Sequence, residues 1–197
     1  MERGPFPLPP ERFTGAGVYA LFYDGELDFY QAVRSVDATR PIYVGKAVPK
    51  GARKGMATGA AAIGDELYGR LRQHARSIDD GANLKLSDFS CRFLVVEPLW
   101  ITMAERFLIE HYQPLWNLCV EGFGIHNPGK GRYQGEIPWW DALHPGRPFA
   151  KNLRQTRSAK DAIKRVVDFL HLQADKPEAA RTLAAEAAER AEITEEE

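Results

Sequence analysis

Two stretches of helical periodicity put ionisable side chains on the face that has to be buried, and that conflict restricts the fold of this chain more than any other feature. The first runs from Asp65 to Ile78, with acids in its opening turn and Gly81 just past its end. Its apolar stripe is Leu67, Leu71 and Ile78. Arg70 and His74, one turn apart, fall on that stripe, whereas Arg72, Gln73 and Arg76 fall elsewhere. The second stretch runs from Leu99 to Tyr112 behind Pro98, and its inner stripe of Ile101, Leu108 and Tyr112 also contains Glu105. An ionised carboxylate on a buried face is costly unless it is paired, hydrogen-bonded or bound to metal. Glu110, four residues after Arg106, reads instead as half of an ordinary exposed pair.

The partners for these charges have to come from the rest of the chain. Gly17 to Tyr23 reads as a strand ended by the Asp24-Gly25 turn, with Tyr19, Leu21 and Tyr23 on one face and Val18, Ala20 and Phe22 on the other. A second strand is expected from Pro41 to Gly45 and a third from about Phe89 to Glu97. Between the second strand and the first helix lies a basic, glycine-rich loop, PKGARKGMATG, long enough to suggest a function. These segments divide the chain into an extended arm (1–12), a core (13–120, with the basic loop at 46–64), a packed lobe with a helix from about Ser158 to Leu172 (121–172), and an Ala/Glu-rich tail (173–197).

Charge separates these regions. The tail from residue 173 holds eight acids and three bases, so the other 172 residues carry 23 bases and 19 acids behind an overall net charge of −1. Nine of those bases fall between residues 126 and 165, against three acids. Such a cluster suits phosphate, although a solvated basic face is the plain alternative. No apolar stretch is long enough for a membrane span, MERGPFPLPP lacks the apolar core of a signal peptide, and a cytoplasmic location is expected. Cys91 and Cys119, without CxxC pairing, read as reduced structural thiols. Trp139, Trp140 and Phe149 read as aromatic core of the lobe in preference to base-stacking platforms.

Phosphodiester hydrolysis needs a deprotonated water, a counter-charge for the phosphoryl oxygens and help for the leaving oxygen. Glu105 can hold one Mg2+ or Mn2+ whose shell is completed by waters and phosphate oxygens. Arg70 can clamp a phosphate bidentately, and His74 can accept a proton near neutrality. Tyr19 and Tyr43 are phenols, poor bases unless a cation or a hydrogen-bonded base assists them. Taken singly, the tyrosines also fit core-edge aromatics, His74 a satisfied buried histidine, and Arg70 with Glu105 a buried ion pair.

Jointly, Tyr19 in GVYALFY, Tyr43 in PIYVGK, Arg70 and His74 in LYGRLRQHARSI, Glu105 in MAERFLIEHY and Asn117 in PLWN resemble the GIY-YIG nucleases over residues 13–120. GVY and YVG stand where GIY and YIG would be, an apolar-for-apolar change. The resemblance implies an α+β fold: a small, mostly antiparallel sheet flanked by helices, with an inserted basic loop and C-terminal helical additions. By motif position it implies Tyr19 as general base, Glu105 as metal ligand and Arg70 on the phosphate, with Tyr43, His74 and Asn117 supporting. The VPKGARKG loop and DALHPGRP extend the resemblance, to about residue 155, toward small type II restriction endonucleases that cut CCGCGG.

That reading implies double-stranded DNA as substrate and a cognate DNA methyltransferase as genetic partner. Lys46, Lys50, Arg53, Lys54, Arg72, Arg147 and Lys151 are then the expected DNA contacts, with Lys46 equally readable as a surface lysine. One metal-binding carboxylate serves one scissile phosphate, so symmetrical cutting calls for a homodimer. No long apolar stripe advertises a permanent interface, and the dimer is expected to form on DNA. A structure-specific or repair nuclease, and a non-catalytic DNA-binding module, are the competing functions.

Overall fold

The computed structural model describes residues 4–49, 64–125, 129, 133–175, 182 and 186. Its sheet has four antiparallel strands in the order β1-β4-β2-β3: β1 (Phe6–Pro7), β2 (Gly17–Tyr23), β3 (Tyr43–Ala47) and β4 (Phe89–Val95). The sheet with its flanking helices is the α+β architecture anticipated from the sequence. The helices are α1 (Glu66–Asp79), α2 (Pro98–Tyr112), the short α3 (Leu115–Leu118) and α4 (Trp139–Leu143), and α5 (Ala159–Asp175).

β2 is hydrogen-bonded on both edges and buried along its whole length, which explains its continuous apolar and aromatic text. Its alternation sends Tyr19 toward His74 of α1, while Val18 packs with Ile101 of α2 in a separate small cluster. β3 begins two residues later than the sequence suggested, at Tyr43, although Ile42 N–H still donates to the Leu21 carbonyl of β2. In the N-terminal segment Phe6–Pro7 pairs with Ser90 and Cys91 as the outer strand; proline fits an edge position, where no ladder donor is required of it.

α1 buries Leu67, Leu71, His74, Ala75 and Ile78, the expected stripe with the histidine inside it. α2 buries Ile101 and Ile109 and ends at Gln113, which takes a left-handed conformation before Pro114. Tyr112, placed on the inner stripe by periodicity, is exposed, because the helix stops there and no further turn covers it. The opposite face of α2 also departs from expectation: Leu99 is 81% exposed, Met103 61% and Phe107 63%, and Trp100 beside them is more than half exposed. This is a contiguous apolar stripe, and it corrects the reading that none advertises an interface. The Arg106–Glu110 pair forms on the surface as expected.

Residues after Asn117 share the main core rather than forming one of their own. Trp140, Leu143, Ala162, Val166 and Phe169 belong to the same buried cluster as Tyr19 and Leu21. Trp140 is fully buried, in line with an aromatic-core role. Burial pushes both thiols, Cys91 and Cys119, up to about 12, so neither is a nucleophile at neutral pH. Among the described residues no helix is long and apolar enough to cross a membrane. Lys50, Arg53, Lys54 and most of the basic loop lie outside the described residues, as does nearly all of the tail.

Candidate active site

Five of the six residues anticipated for catalysis meet at one end of the β2–β3 pair. Tyr19 lies opposite Gly45 in the register, and a Cβ at Gly45 would stand 2.6 Å from Tyr19 Cζ. Only glycine lets the phenol ring lie across the neighbouring strand. The Tyr19 hydroxyl reaches His74 Nε2 at 2.6 Å from the next layer. Both residues are essentially buried, at 0% and 1% exposure. Tyr43 packs its ring 6.2 Å from that of Tyr19 and edge-on to His74 at 5.2 Å.

The electrostatics are those of a phenol surrounded by charge. Burial pushes the Tyr19 phenol well above its ordinary value near 10, and Tyr43 and Glu105 push the same way. Arg70 opposes them by its charge and by a hydrogen bond. A free phenolate is therefore unfavourable here at neutral pH, and a proton leaves Tyr19 only if a neighbouring base takes it. His74 Nε2 is in place for that.

Glu105, on the inner face of α2, meets Lys46 from β3, with Nζ 3.1 Å from Oε2. Lys46 Nζ also lies 3.4 Å from Thr102 Oγ1. The pair resolves the cost of a carboxylate on a buried stripe and puts Lys46 inside the site, not on the outer surface. Among the described residues no group of three or more His, Cys, Asp or Glu gathers that could hold a metal. The donor set nonetheless fits a hard divalent cation bound through one partly accessible carboxylate, its remaining positions left to water and substrate oxygens.

Asn117 stands apart from the reacting groups and works on the backbone. β3 is an edge strand, and at Val44 its outward groups are both satisfied by this one side chain: Val44 N–H donates to Oδ1 at 2.8 Å, and Nδ2 donates to the Val44 carbonyl at 2.9 Å. The amide acts as a one-residue strand and fixes the positions of Tyr43 and Gly45 on either side.

The expected DNA contacts divide. Arg72 and Lys151 are exposed. Arg147 is 2% exposed and faces inward, where it pairs with Asp141; that burial removes it from any phosphate-contacting surface. Two other members of the basic cluster also have partners within the chain, although Arg165 stays exposed with Lys151, Arg154, Lys160 and Lys164. Arg157 reaches Glu136 and the Ile137 carbonyl, Arg165 donates to the Cys119 carbonyl, and both stack on Trp139. Two residues the sequence did not single out complete the site. Phe123 stacks on His74 at 4.5 Å with 18° between the rings, and Gly124 lies against Tyr43 and Arg70. The only local sign of them is the glycine pair flanking Phe123 in GFGIH.

Paired tyrosines on adjacent antiparallel strands, an Arg/His pair one turn apart on the first helix and a glutamate on the second define a GIY-YIG nuclease domain. Residues 11–170 match the family model described as the Eco29kI GIY-YIG domain, and the chain belongs to that family. It is a nuclease of the restriction-endonuclease type. No match is found among curated proteins.

Proposed function

We propose that this protein is a type II restriction endonuclease that hydrolyses both strands of duplex DNA at a palindromic site, CCGCGG. The observation that carries the catalytic part is the 2.6 Å contact between Tyr19 and His74 beside Tyr43, Arg70 and Glu105. The attacking water gives a proton to the Tyr19 oxygen as the phenolic proton passes to His74 Nε2, so no free phenolate accumulates. The hydroxide attacks phosphorus, the P–O bond opposite breaks, and the departing oxygen takes a proton from solvent water. Arg70 neutralises the non-bridging oxygens. Glu105 would hold Mg2+ or Mn2+, which supplies Lewis-acid stabilisation of the phosphoryl charge. Tyr43, Arg70 and Glu105 are the partly exposed members of the site, and substrate would meet them first.

The choice of CCGCGG rests on the likeness of the quoted motifs to enzymes with that target. A cognate methyltransferase belongs with it, since the host's own sites need protection. A homodimer is required by symmetry, because one site cuts one strand. The exposed stripe Leu99, Trp100, Met103 and Phe107 supports self-association. Its area is on the order of several hundred Å2, a sizeable share of the ~800 Å2 a partner contributes to a standard interface. Glu105 lies on the opposite side of α2, so pairing through this stripe leaves both sites open.

Plasmid DNA is incubated with the protein in Mg2+ or EDTA, and the fragment ends are sequenced. Metal-dependent cutting at one palindrome supports the reading. Cleavage confined to branched or damaged DNA would replace it with a structure-specific nuclease, and binding without cleavage with a DNA-binding module.

A further inference from the structure

Arg147 is a fully buried guanidinium whose five N–H donors all have acceptors. Nε donates to Asp141 Oδ1 at 2.7 Å and one Nη2 hydrogen goes to Asp141 Oδ2. The other Nη2 hydrogen goes to the Gly122 carbonyl at 2.8 Å, and Nη1 serves the carbonyls of Phe123 at 2.9 Å and Ile125 at 3.0 Å. Its faces are covered as well, by Trp140 at 4.5 Å and Phe149 at 4.8 Å. A buried ion pair is seldom a net gain in stability over apolar packing, so the more informative question is what shape it enforces.

The shape is that of the turn Gly122–Ile125, whose three carbonyls converge on one point. Carbonyl dipoles so arranged repel one another unless a multivalent donor sits at that point. The turn so fixed is the one that touches the active site. Phe123 stacks on His74 and stands edge-on to Tyr43 at 5.0 Å. At Gly124 a Cβ would lie 3.0 Å from the Tyr43 hydroxyl and 3.6 Å from Arg70 Nη2, so a side chain there would crowd the phenol.

We propose that Arg147, set by Asp141, is a positioning residue for the nuclease site: it holds the Gly122–Ile125 turn so that Phe123 keeps the His74 ring aimed at Tyr19 and Gly124 leaves Tyr43 and Arg70 their places. The proposal rests on the nuclease reading for its effect on cleavage, but not for its effect on His74.

Both effects are measured in the full chain. In the wild type, the ring current of the stacked Phe123 should displace the His74 imidazole proton resonances upfield. Arg147→Lys keeps a positive charge but has too few donors to hold Asp141 and three carbonyls together. Its His74 resonances should move downfield without DNA present, and its single-turnover cleavage should fall at least about tenfold, as small misplacements of reacting groups do. Duplex affinity in EDTA should stay within about threefold, since Arg147 touches no surface. Should Arg147→Lys not fold, the double variant Arg147→Met with Asp141→Leu leaves no uncompensated charge and carries the same expectation. Gly124→Val, at a backbone conformation open to any residue, probes the turn with the ion pair intact and should also slow cleavage. Unmoved His74 resonances in a folded Arg147 variant, or full cleavage by Gly124→Val, would overturn the proposal. A wild type that cuts no DNA would sink the nuclease reading and leave the His74 measurement standing.

Discussion

Two tyrosine–histidine pairs lie in the core of this protein, Tyr19 with His74 and Tyr30 with His144, and both have a 2.6 Å contact from the phenol oxygen to Nε2. Their surroundings set them apart. Tyr30 also accepts from Trp116 Nε1 at 2.8 Å, and His144 Nδ1 donates to Asn83 Oδ1 at 2.8 Å, so every polar atom in that chain has a fixed neutral partner. Burial, with Arg147 nearby, pushes His144 down to about 3 and holds it uncharged. Tyr19 has a cation in Arg70 and a carboxylate in Glu105. The same hydrogen bond is a rivet in one place and, in the proposed mechanism, a proton path in the other. Charge makes the difference.

The comparison breaks most sharply at the charges. Glu105→Gln should abolish cleavage while leaving duplex binding within about tenfold, since it removes the proposed metal ligand and not a base-reading group; a fully active variant would remove Glu105 from the site. Next in size, Tyr19→Phe should lower the cleavage rate at least ~100-fold, the scale of general-base loss. Tyr30→Phe should leave the rate within a few-fold. It should instead destabilise by about 2–4 kcal/mol in denaturant titrations, because Trp116 Nε1 and His144 Nε2 both lose buried partners. If the two variants swapped these effects, the assignment of the active pair would be reversed.

A smaller effect lies in acid. His144 titrates near 6.5 when unfolded and about 3 when folded, so the unfolded chain binds the proton first as pH drops. Its stabilising contribution is complete above pH 6.5 and is lost as pH falls through about 3. His144→Gln should flatten that part of the stability profile; an unchanged acid limb would mean other groups govern it. The smallest expected change concerns Arg72→Gln and Lys151→Gln, the two exposed members of the expected DNA contacts among the described residues. Removing one phosphate contact should lower the salt slope of binding by about 0.9. Retention of the full slope would take these side chains off the DNA.

What the sequence could show was local. Apolar periodicity marked β2 and the two principal helices to within a residue or two, since burial of one face every 3.6 or 2 residues is written along the chain itself. The same periodicity put His74 and Glu105 on inner faces, so that their need for partners was legible before the partners were. Tyr112 escaped that logic because a helix end is decided by the residues beyond it, here Gln113 and Pro114.

The partners themselves depend on distances between residues far apart in the chain. Lys46 on Glu105, Asn117 on the Val44 backbone and Tyr30 on His144 each join segments that composition cannot relate. Arg147 is the clearest case. In sequence it was one base among nine in a basic run, to be read with the others as a surface for phosphate. The tertiary structure gave it Asp141 and three converging carbonyls, and a guanidinium whose five donors are satisfied inside the protein has none left for DNA. A residue's type and spacing fix what it is able to bind; which acceptors it meets, and whether water reaches it, is settled only when the fold closes around it.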